Sequence, residues 1–151
     1  MSIKILNKSE KQEILNKLKN QFGITDIQGL LVKCGAERIF LFQGSLNQKE
    51  IKKLEKIVPI ERVGIYFAKE QNNLIRLSID GILILKNQIK KNIFELNQEQ
   101  MKEWMCGNEL NINSGLNDFV IIKYKNDFLG TGKASENKIT NFIPKARRLK
   151  K

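Results

Sequence analysis

The chemistry open to this chain is set first by what it lacks: no histidine occurs among its 151 residues. Serine and cysteine nucleophiles activated by imidazole, and metal sites built on it, are therefore excluded. The two cysteines, Cys34 and Cys106, form neither a C-x-x-C pair nor a four-ligand zinc cluster, and isolated thiols of this kind read as small buried hydrophobes. Glu10, Glu13, Glu50 and Glu55 fall in lysine-flanked helical patterns. Asp80, Asp118 and Asp127 stand beside Gly or Asn, where capping and turn roles account for them. Leu-Gly-Thr-Gly-Lys over 129–133 sets two glycines before a lysine, but G-x-G-K lacks the four-residue spacer and the strand-to-helix setting of a phosphate-binding loop. Glycines inside a β run mark a bulge or a close approach of another part of the chain. No catalytic residue, cofactor site or metal site is expected.

Positive charge is the stronger signal. Lys and Arg number 27 against 16 Asp and Glu, for a net charge of +11 and a pI near 9.7. The surplus is spread over both halves, but it is densest over Asn137–Lys151, where Lys138, Lys145, Arg147, Arg148, Lys150 and Lys151 stand with no acidic residue. Cations crowded in this way repel one another. A polyanion relieves that repulsion and releases its own condensed counterions, so a nucleic acid is the expected partner. The planar forks of Arg147 and Arg148 suit phosphate oxygens or base faces, and Pro144 just ahead of them limits their wandering. Phe119, Tyr124, Phe128 and Phe142 interleave with Lys123, Lys125 and Lys133; strand alternation sends such aromatics to the core, while Lys133 joins the expected RNA-contacting set. The competing readings are a solubilising basic tail and an adaptor for an acidic protein. No apolar run approaches the about 20 residues that span a bilayer, and Met1–Glu13 is charged where a signal peptide would be apolar, so a cytoplasmic protein without membrane contact is expected.

The elements that must position these cations follow from pattern. Ser9 with Gln12 has capping-box spacing ahead of Ile14, Leu15, Leu18 and Phe22, and Gly23 is placed to end the helix. Gly29–Cys34 and Arg38–Phe42 read as a hairpin across Gly35-Ala-Glu. Ser45 with Gln48 repeats the spacing before a second helix carrying Ile51, Leu54 and Ile57, which Pro59 ends. Strands are expected over Val63–Phe67 and Leu74–Ser78, joined across Lys69–Asn73. For Ile82–Leu85 periodicity alone does not separate strand from helix, and a short linking helix is the expectation. Asn92–Leu96 reads as a strand, and Asn97 with Gln100 opens a helix containing Met101, Trp104 and Met105 that stops at Gly107. Short strands follow over Glu109–Ile112, Phe119–Tyr124, Phe128–Lys133 and Ile139–Ile143, after which Pro144 releases the basic tail. Two pieces of comparable size, 1–77 and 78–151, should pack together, since each alone is small for a core.

Trp104-x-x-Gly107, Ser114–Ile121 and Phe128–Ala134 together give the second half a resemblance to a PUA domain. With Leu6–Glu10, Arg38–Phe42 and Leu74–Asp80, nearly the whole chain resembles the Nip-seven family of large-subunit ribosome-biogenesis factors. That resemblance implies an α+β fold in which a small N-terminal α/β (pre-PUA) domain packs on a C-terminal PUA β-pseudobarrel. It also implies a non-catalytic role in pre-rRNA processing, with unpaired or loop RNA bound by the PUA domain and a protein partner docked on the first. By position, the late basic cluster of archaeal-type members is similar to Arg147, Arg148, Lys150 and Lys151, extended by Lys145 and Lys138. Phe142–Arg148 is also similar to the ending of PUA-like domains attached to RNA methyltransferases. That similarity implies an alternative, a stand-alone targeting module for RNA modification.

Overall fold

A computed structural model describes residues 3–57 and 64–150. Three helices begin on the same device, an asparagine three residues ahead of Glu or Gln. Helix α1 (Lys8–Phe22) is capped by Asn7, whose side chain accepts from the Glu10 amide while Glu10 accepts from that of Asn7, at 2.9 and 3.0 Å. Asn47 and Glu50 do the same for α2 (Gln48–Ile57), and Asn97 and Gln100 for α4 (Gln98–Met105). The serine caps expected at Ser9 and Ser45 are therefore corrected to Asn7 and Asn47. Asparagine wins because its carbonyl reaches the orphan amide at the third helical residue as well as a hydroxyl does. Gly23 ends α1 at φ 81° as expected; Pro59 and Val63 lie outside the described residues.

The first sheet runs in the order β1 (Ile3–Ile5), β2 (Leu30–Cys34), β3 (Arg38–Phe42), β4 (Ile65–Gln71), β5 (Leu74–Leu77), antiparallel throughout. Strand β1 is an addition to the sequence reading, since three residues are too few to show alternation. The β4–β5 connection is also tighter than expected: Lys69–Gln71 belong to β4, and only Asn72 and Asn73 turn, both at positive φ, as a two-residue hairpin demands. One face of this sheet packs on α1 around Leu18, Phe22, Ile39, Leu41, Phe67 and Ile75. The other packs on α2 only around Ile3, Ile5, Val32, Phe40 and Ile51, which leaves the β4–β5 side open.

Helix α3 (Ile79–Leu85), capped by Ser78, links the halves, and a 3-10 turn follows at Lys86–Gln88. The second sheet runs β6 (Ile93–Glu95), β7 (Asp118–Tyr124), β8 (Asp127–Ala134), β9 (Ile139–Asn141), with β6 parallel to β7 and the rest antiparallel. Glu109–Ile112 is not a strand: only Leu110 bridges to Ile139. Trp104 on α4 is fully buried in this half. Its indole lies where a Cβ on Gly132 would be, 2.8 Å away, and Gly130 at φ 132° sits beside a bulge at Ile122/Lys123. Both glycines therefore serve packing and strand geometry, as their β context implies.

The two halves share a core, in which Phe119 and Ile121 of β7 join the α1 cluster. The buried Thr131 hydroxyl donates to the Leu77 carbonyl at 2.8 Å, tying β8 to β5. The molecule is mixed α+β, a helix-backed sheet joined to a C-terminal β domain. Among the described residues no helix is long and apolar enough to cross a membrane, and no group of three potential metal ligands occurs.

Candidate nucleic-acid interface

The late cations do not leave the body of the protein as a free tail, which corrects the release expected at Pro144. A 3-10 turn over Lys145–Arg147 folds the chain back, and the Leu149 amide donates to the Met105 carbonyl at 2.7 Å, satisfying a carbonyl at the C-terminus of α4. Arg148 is half-buried. Its Nε donates to the Ile143 carbonyl at 2.9 Å, and its side chain crosses Gly107, where an added Cβ would fall 2.5 Å from Arg148 Cδ. Gly107, at φ 91°, thus ends α4 and makes room for the arginine. Arg147 faces solvent and pairs with Asp80 of α3 at 3.3 Å, both side chains nearly half exposed. Lys138, just before β9, pairs with Glu109 at 3.3 Å. Lys133 on β8 holds its ammonium 6.0 Å from the centre of the Phe119 ring. Lys145 and Lys150 are exposed and carry no ion pair among the described residues; Lys151 lies outside them.

Of the expected contact residues, then, Lys145, Arg147 and Lys150 present charge to solvent near one turn. Lys133 and Lys138 stand on other elements, and the Arg148 side chain holds the end of the fold in place.

Arg147 also lines a cleft of about 140 Å³ where the two halves meet. Its walls include Tyr66, Arg76, Ser78, Asp80 and Phe142. The Arg76 guanidinium lies 4.4 Å from the centre of the Phe142 ring, whose other neighbour is Phe119 at 6.2 Å. The cleft continues into a depression on the open face of the first sheet, lined by Arg38, Phe40, Tyr66, Lys69 and Arg76. Tyr66 and Arg76 belong to both. Strand register makes this patch: Arg38 lies opposite Lys69, and Lys69 opposite Arg76, so three cations form one row across β3, β4 and β5. Like charges set directly opposite on neighbouring strands are destabilising. Glu37 offsets Lys69 at 3.3 Å, while Arg38 and Arg76 have no carboxylate partner among the described residues.

These three residues do not stand out in the sequence because they are far apart in the chain and none belongs to a basic run. The signal that finds two of them is alternation: within Arg38–Phe42 and Leu74–Leu77, Arg38 and Arg76 fall on the face opposite the buried Ile39 and Ile75. On the covered face the chemistry is different. Glu70 accepts from Lys17 and Lys33 at 2.6 and 3.0 Å. Partial burial pushes its carboxyl up, but the two lysine hydrogen bonds outweigh that and hold it below the usual carboxylate range.

Comparison with known proteins gives two findings. Residues 91–149 match the family model described as the methyltransferase RsmF PUA domain, so the C-terminal half holds a PUA-like domain. The chain is also similar to whole proteins named ribosomal RNA small subunit methyltransferase F. With that of Psychromonas ingrahamii it shares 27% identity over 144 residues, covering 91% of this chain and 29% of the relative. With that of Vibrio parahaemolyticus it shares 28% over 145 residues, covering 92% and 29%. The chain therefore spans about 29% of the length of these curated relatives, and the similarity takes in both halves of it.

Proposed function

We propose that this chain is a non-catalytic RNA-binding module of rRNA maturation, acting in the cytoplasm on unpaired or loop RNA, with a boundary between its halves at 77/78. The observation that carries the reading is the PUA-like domain over 91–149, in which Lys145 and Arg147 stand in the open, with Lys150 just beyond, beside a cleft that has Tyr66 and Phe142 in its walls. Cations grip phosphates without regard to sequence, and ring faces favour bases that are free to unstack. In this reading the amino-terminal half also holds a protein partner, for which the exposed Leu54 and Ile57 of α2 are available apolar contacts.

Two settings suit such a module. One is the stand-alone factor of pre-rRNA processing, of the Nip-seven type, that the order of elements suggests. The other is the targeting of an rRNA modification enzyme, and the names of the relatives favour it. Filter binding at physiological salt tests the common core of both: a U-rich single strand should bind at micromolar concentration or below and clearly more tightly than a duplex. Equal, weak binding to both would favour an adaptor for an acidic protein. RNA crosslinked in cells then separates the settings, small-subunit rRNA pointing to modification and large-subunit precursors to the biogenesis factor.

A further inference from the structure

The row Arg38, Lys69 and Arg76 carries an electrostatic cost that its contacts offset only in part, Lys69 pairing with Glu37 at 3.3 Å and Arg76 lying over the Phe142 ring. Neighbouring strands are about 5 Å apart, so three cations opposite one another repel across a short span. On the other face of the same strand charges alternate, Glu70 lying between Lys17 and Lys33, whereas here Glu37 reaches Lys69 and leaves Arg38 and Arg76 without a carboxylate among the described residues. The row also borders aromatic surface. Phe40 and Tyr66 lie with their rings 5.7 Å apart, Phe40 buried and Tyr66 half-buried, and Arg76 covers Phe142 at the other end. Cations flanking ring faces on an open sheet are the combination that tracks a single strand, phosphates on the cations and a base on the ring.

We propose that the open face of the first sheet is a second RNA-binding site, continuous with the C-terminal one. A single strand gripped near Lys145 and Arg147 passes through the cleft at Tyr66 and Phe142 and lays its phosphates along Arg76, Lys69 and Arg38. The ligand is the phosphodiester backbone of unpaired RNA, with one base against Tyr66. The inference rests on the reading of the chain as an RNA binder and extends it to the half that the PUA-like domain does not include.

The test is a length series. Fluorescence anisotropy of the full chain is measured with U-rich strands of about 5 and about 12 nucleotides, lengths that bracket one and two contact surfaces. Wild type should bind the longer strand at least about tenfold more tightly. The triple variant Arg38→Gln, Lys69→Gln, Arg76→Gln should keep the short-strand affinity and lose that gain. Because Arg76 packs on Phe142, the double variant Arg38→Gln, Lys69→Gln is run beside it, with thermal melts of both; it should lose part of the gain with an unchanged melt. Tyr66→Ala should weaken the longer strand and Tyr66→Phe should not. Equal affinity of wild type and the double variant for the longer strand overturns the proposal, as does an equal loss on both lengths. If wild type binds neither strand, it is the RNA-binding reading itself that fails.

Discussion

Two groups of cations in this molecule invert the ranking that the sequence suggests. The group that is dense along the chain, Lys138 to Lys150, is partly occupied within the fold. Arg148 donates to a backbone carbonyl, Arg147 and Lys138 face carboxylates, and the turn itself is pinned to the end of α4. The group that is dispersed along the chain, Arg38, Lys69 and Arg76, is gathered by register into one row with Glu37 beside Lys69. Charge density in sequence and charge density in space are different quantities. In β structure the second depends on pairing between strands tens of residues apart.

The comparison is broken most directly at Arg148. If it is structural, Arg148→Ala should lower stability by about 1.5–3 kcal/mol, the range for a hydrogen bond to a charged group, and drop the melting temperature by several degrees. Gly107→Ala should act in the same way, because its Cβ would displace the arginine. A melt unchanged in both variants would return Arg148 to the RNA-contacting set. The next largest effect is on binding. Lys145→Ala with Arg147→Ala should leave the melt within about 0.5 kcal/mol, since the Asp80 pair is exposed, and flatten the salt slope of single-strand binding by about 0.7 per lost contact. Smaller again is Asp80→Asn, which frees Arg147 for phosphate and should tighten RNA binding by about twofold to fivefold, the worth of an exposed ion pair.

Glu70 sharpens the contrast between the two faces of one sheet. Its carboxyl titrates lower folded than unfolded, so the stability it contributes is complete above its ordinary value of 4.5 and is lost as pH falls through the lowered folded-state value. Glu70→Gln should therefore flatten the acid limb of a stability-against-pH curve and leave the neutral region sloping as before, as urea titrations across that range would show. The smallest effect is at Arg38. Arg38→Thr relieves cross-strand repulsion and should raise stability by a few tenths of a kcal/mol while weakening long-strand binding.

Much of the fold was legible because local signals agreed with tertiary ones. Ile14, Leu18 and Phe22 recur at helical spacing and are all buried, and the spacing of Asn97 and Gln100 is that of the capping box they form. Ser9 and Ser45 misled because each lies two residues from the asparagine that caps. Both sites offered a capping side chain with Glu or Gln three residues on, and short-range pattern does not rank the two. The strand expected at Glu109–Ile112 failed because apolar alternation there serves one bridge and packing on Trp104. The candidate site was half legible. A run of basic residues shows in any reading, but which of them face solvent depends on Gly107, Met105 and Asp80, all distant in sequence from the residues they engage. The sheet row needed registers set by the bulge between Ile39 and Phe40 and by the turn at Asn72-Asn73.

The central claim is that unpaired RNA is held by the exposed cations of both halves, and counting released counterions tests it most directly. Affinity for a long U-rich strand, measured against salt concentration, should give a log–log slope of about −3 or steeper for wild type and a slope shallower by about 2 for the Arg38, Lys69, Arg76 triple glutamine variant. Identical slopes for the two proteins, or binding that does not respond to salt, would contradict it.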